Sequence, residues 1–82
     1  MTASTAARLE DALRQIAGPG AAPASLIVDY GPVEAPAAQD CGVKAWVERA
    51  TRSLVFAQAE ARSADGVLVA AASAVFRKVS VP

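Results

Sequence analysis

A chain of 82 residues, 54% hydrophobic and 20% charged, has room for one domain and carries too much apolar surface for a disordered tail. Eight basic residues balance eight acidic ones with no block of like charge, which argues against a nucleic-acid or anionic-membrane surface. No apolar run approaches the ~20 residues needed to span a bilayer, and acids stand where a signal peptide would have its apolar core, so a cytoplasmic protein is expected.

One Trp, one Tyr and two Phe leave the core to be built from Ala, Val and Leu. Such side chains bury little area each, and a thin core leaves a small margin over chain entropy. Self-association, as a homodimer or a tetramer, is therefore expected to supply further burial. The chain has no His and a single cysteine, Cys41. An internal disulfide is excluded by that count, and neither a metal site nor a cofactor is expected. Cys41, beside Gly42 at a strand entry, reads as a packing residue because no histidine can act as its base.

In chain order, Ser4 or Thr5 can cap a helix whose apolar positions Leu9, Ala12, Leu13, Ile16 and Ala17 follow the helical repeat, with Gly18-Pro19 as the stop. Residues 18–23 read as loop. Residues 25–35 read as a strand interrupted at Gly31-Pro32. After a connection over 36–42 the period becomes two, with Val43, Ala45 and Val47 on one face and Lys44, Trp46 and Glu48 on the other. A second alternating strand follows at 54–62. Opposing Val47 to Val55 and Trp46 to Phe56 requires a loop of Ala50, Thr51 and Arg52. The 63–66 segment, SADG, has the residues of a type I turn finished by a left-handed glycine, leading into a last strand over 67–79. That strand is small and apolar on both faces, which predicts a central or interfacial place. The expected fold is α+β, one N-terminal helix packed on four antiparallel strands that run as a meander.

Residues 43–79, VKAWVERATRSLVFAQAEARSADGVLVAAASAVFRKV, resemble the second half of a hotdog domain of the acyl-CoA thioesterase superfamily, phenylacetate-degradation type. The likeness lies in a basic tight turn at 49–52, a strand of small residues and acids at 58–61, the Asp65-Gly66 turn, and a last strand of the form G-x-L-V-A-x-A-x-A-x-F from Gly66 to Phe76. With residues 25–36 it covers about two thirds of the chain. The resemblance implies a sheet curled around one helix, subunits joined edge to edge, and hydrolysis or binding of an acyl-CoA or acyl-carrier thioester at a subunit interface.

The family's His-Gly-Gly stretch at the helix start is missing, and the family's first strand is not expected ahead of the helix. The segment 9-LEDAL-13 matches the family's acidic helix position and would place Asp11 there, with Glu10 beside it as a second candidate base or nucleophile. The alternative for both acids is first-turn charge favourable to the helix dipole, with Glu10 pairing to Arg14. Helical geometry sets Glu10 at the flank of the apolar stripe and Asp11 nearly opposite it. Trp46 and Phe56 are candidates for holding the acyl group, or for forming a subunit interface. Asp29 and Tyr30 read either as pocket residues or as solvated residues of an edge strand. The functional alternative to a thioesterase is a non-catalytic hotdog remnant, a homo-oligomeric module that binds an acyl ligand or a protein.

Overall fold

The computed structural model describes residues 4–31 and 41–78. Its elements are α1 (Thr5–Ala17), β1 (Ala21–Tyr30), β2 (Gly42–Ala50), β3 (Leu54–Arg62) and β4 (Leu68–Lys78).

Ser4 is the helix cap: its Oγ accepts from the Ala7 amide at 3.1 Å, satisfying one of the donors a helix start leaves open. Thr5 is buried inside the first turn. At the other end Gly18 takes a φ of 94°, and its amide returns to the Arg14 carbonyl at 3.2 Å. Leu9 and Leu13, one turn apart, are fully buried against the sheet. Ile16 departs from the expected stripe, being 42% exposed above Val43 and Ala45.

All four strands pair antiparallel, in the order β1-β4-β3-β2. Only β2, β3 and β4 form the expected meander; β1 crosses over to the far side of β4. The crossover gives β4 a strand on each side, the central place that its small, two-faced apolar character predicted. The edges fall to β1 and β2. An edge also accommodates Pro23 within β1, which begins at Ala21 and takes in residues expected as loop, with a ladder irregularity between Pro23 and Ser25. After Tyr30 the Gly31 amide donates to the Val69 carbonyl at 2.8 Å; the expected strand over 32–35 lies outside the described residues.

One face of the sheet carries Val55, Ala57, Ala59 and Ala61 of β3 and Ala70, Ala72, Ala74 and Phe76 of β4, all buried with Leu9 and Leu13 in one cluster. With a single helix among the described residues, this is the helix side. The other face is open. The 63–66 turn forms as expected: the Gly66 amide reaches the Ser63 carbonyl at 2.9 Å and Gly66 has a φ of 85°.

The β2–β3 register differs from the expectation. The loop is 51–53, closed by the Thr51 hydroxyl accepting from the Leu54 amide at 3.0 Å. Ala50 stands opposite Val55 and Arg49 opposite Phe56; the register then slips at Glu48, so that Val47 opposes Ala57 and Trp46 opposes Gln58. Neither Val47–Val55 nor Trp46–Phe56 is a pair. The slip nonetheless preserves the faces. Had the Arg49–Phe56 register continued unbroken, Trp46 would have met Ala59 on the helix side, because a one-residue shift turns every side chain over.

Candidate functional site

The candidate residues divide between the two sides of the sheet. Glu10 and Asp11 belong to the second turn of α1; the first turn holds no acid, so the first-turn dipole reading does not apply to them. Glu10 takes both the Nε and Nη2 hydrogens of Arg14 on one oxygen, at 3.0 and 2.7 Å, on a partly solvated surface. This is the expected i,i+4 pair. Asp11 points away from the sheet into a shallow groove shared with Arg14, Gln15 and Pro19. Among the described residues no further carboxylate or nucleophile lines that groove, and no three His, Cys, Asp or Glu side chains group as metal ligands.

Trp46 and Phe56 both open onto the face away from the helix. The registers arrange that face in cross-strand rows: Ser25, Val75, Phe56 and Arg49 in one, Ile27, Ser73, Gln58 and Trp46 in the next, and Asp29, Ala71, Glu60 and Lys44 in the third. Ser73 and Ala71 on the central strand are short, while Ile27 and the aromatics beside them are tall. The resulting groove has a volume of about 330 Å³ and is lined by Ile27, Phe56, Ser73, Val75 and the polar ends of Gln58 and Arg49. Its size and mixed lining suit a small molecule with an apolar body. Trp46 stands in the adjacent row, its indole N–H donating to Glu48 Oε2 at 3.1 Å.

The acids and the aromatics thus do not share a cavity: the sheet lies between them. Asp29 and Tyr30 separate in the same way, Asp29 on the open face and Tyr30 on the helix side, both exposed. Cys41 packs in the core as expected, and its carbonyl accepts from Arg8 Nη1 at 2.8 Å.

At the far end of the open face, Arg62 donates to both Glu60 oxygens, at 2.9 and 3.3 Å. That bonding, with the added charge of Lys44, holds the Glu60 carboxyl below its ordinary value of 4.5 and raises Arg62 above its own.

Of the groove residues only Phe56 is a site candidate in the sequence; the others, Arg49 and Ser73 among them, are not. Arg49 reads there as part of a basic turn, and Ser73 as one more small residue of β4. The signal for Arg49 was the pairing of a cation with an aromatic across a hairpin, which only a known register reveals. No helix among the described residues is long and apolar enough to cross a membrane. Comparison with protein-family models, with curated proteins and with solved structures found no match to this chain.

Proposed function

We propose that this chain is a hotdog-like, homodimeric module that binds an acyl ligand and does not hydrolyse it. The observation carrying the proposal is the contrast between the two sheet edges. On β2 the edge is blunted by Lys44, Glu48 and Arg49 and broken by the slip at Glu48, the devices by which natural edges avoid pairing. Over 26–30, β1 carries a single charge, Asp29, and an unbroken register, and there Ile27 is 58% and Tyr30 66% exposed. The helix lies mainly over β2 and β3, leaving Leu26 and Tyr30 with little cover on their own side. A second copy placed antiparallel along β1 satisfies the open backbone groups and covers both faces of that strand at once. Zero net charge offers no repulsion to such pairing.

The hotdog assignment is supported by one helix lying in an antiparallel sheet. Binding rather than hydrolysis is supported by the position of Glu10 and Asp11, since an acid that activates water must reach the bound carbonyl and the groove lies on the other side of the sheet.

Sedimentation at micromolar concentration tests the dimer: the expected result is a dimer for the wild type and a folded monomer for Leu26→Lys/Tyr30→Lys. A folded wild-type monomer would remove the edge-pairing reading. Incubation with a panel of acyl-CoA thioesters tests the rest. No turnover is expected, and turnover abolished by Glu10→Gln/Asp11→Asn would establish the thioesterase instead.

A further inference from the structure

We infer that the groove on the open face is a site for an amphipathic monocarboxylate, with Arg49 receiving the carboxylate and Ile27, Phe56 and Val75 the apolar tail. This rests on reading the chain as an acyl-binding module, and it specifies a free acid in place of a thioester.

Glu10 is held by Arg14, Glu60 by Arg62, and Lys78 Nζ donates to the Thr51 carbonyl at 2.6 Å. Arg49 lines the groove and, among the described residues, its guanidinium makes neither a hydrogen bond nor an ion pair. The neighbouring carboxylate, Glu48, also borders the groove but takes the Trp46 indole hydrogen. A guanidinium without an ion-pair partner at one end of an apolar trough presents a planar donor fork that matches a carboxylate.

The trough itself has a defined shape. Across the row that Arg49 ends, Phe56 and Val75 stand between it and Ser25; in the next row Ser73 drops the floor beside Ile27. A tail entering from Arg49 therefore runs across the strands over Phe56 and Val75 towards Ile27. Gln58 and Ser73 border this path and supply polar groups for a ligand oxygen. The distance from the helix-side acids means that nothing in this arrangement calls for covalent chemistry.

The experiment uses decanoate and decanol as probes, with calorimetry and the emission of Trp46, the single tryptophan, as readouts. Wild type is expected to bind decanoate saturably below its micelle onset and decanol roughly tenfold more weakly or worse, the order of a lost charge-assisted hydrogen bond. Arg49→Gln should bring decanoate down to the level of decanol and leave decanol unchanged. Ser73→Leu, at an exposed floor position, should abolish both. Equal wild-type affinities, decanoate binding unaltered in Arg49→Gln, or no saturable binding would each overturn the inference. So would concentration-dependent burial of Trp46 without a ligand response, which assigns this face to a second copy. Sedimentation of the same samples separates the two proposals: binding by a monomer sinks only the edge dimer, and a dimer that binds nothing sinks only the carboxylate site.

Discussion

Arg49 stands directly across the β2–β3 ladder from Phe56, and the register slip immediately beside it, at Glu48, returns Trp46 to the same open face. One extra residue in an edge strand thereby puts Trp46 on the side of the sheet that already carries the cation and Phe56. The same slip leaves the helix side to Val43, Ala45 and Val47 against the alanines of β3.

The helix side is filled by small residues at close spacing. Ala72 lies between Val28 and Ala59 in the ladder and is buried beneath α1. Ala72→Leu is expected to cost ~1–3 kcal/mol through overpacking. Lys44→Glu, on the solvated open face opposite Glu60, should cost less than about 1 kcal/mol, the scale of a like-charge cross-strand pair. Thermal melts of the two variants check this, and equal small shifts would mean that Ala72 is not enclosed.

Gly31 approaches β4 too closely for any side chain. A Cβ there would sit 2.8 Å from the Leu68 carbonyl oxygen and 3.0 Å from that of Val69, and the Gly31–Val69 hydrogen bond holds the two segments together. Gly31→Ala should destabilise by ~1–3 kcal/mol, lowering Tm by about 4–8 °C for each of them. At Gly20 the space is open, so Gly20→Ala serves as the control and should leave Tm unchanged or slightly raised. Equal melting temperatures for the two variants would contradict the close approach.

Glu10→Gln/Asp11→Asn should melt within about 0.5 kcal/mol of wild type, since an exposed i,i+4 pair contributes no more than that. Denaturant titration measures it. A large loss would show that one of these acids has a structural role beyond its contact with Arg14.

The pH response of the open face should come from Glu60. Its folded-state value is depressed by Arg62, so the stabilisation it contributes is complete above the unfolded value near 4.5 and is lost as pH falls through the lower folded value. Arg62→Gln also removes the bond from Arg62 to the Gly66 carbonyl, a loss independent of pH; the acid-dependent part should flatten below about pH 4.5. An NMR titration of the Glu60 carboxyl should show its midpoint rising in the variant, and an unmoved midpoint would discount the pair.

Local chemistry was enough to place the helix between Ser4 and Gly18, the glycine turn at 63–66, the two strands around it, and the alternation that puts small residues on one side of β3 and β4. Each rests on interactions within a few residues: a cap, a left-handed glycine, a period of two. Even the pairing of Glu10 with Arg14 is a matter of four residues along one helix. Three features required the folded chain. The order β1-β4-β3-β2 depends on which strand most needs neighbours on both sides, a comparison among strands distant in sequence. Facing Arg49 with Phe56 depends on where the ladder slips, and alternation reads the same for registers two residues apart. The separation of Glu10 and Asp11 from Trp46 and Phe56 depends on which face of the sheet α1 covers, which is set by packing of Leu9 and Leu13 against residues some fifty positions away.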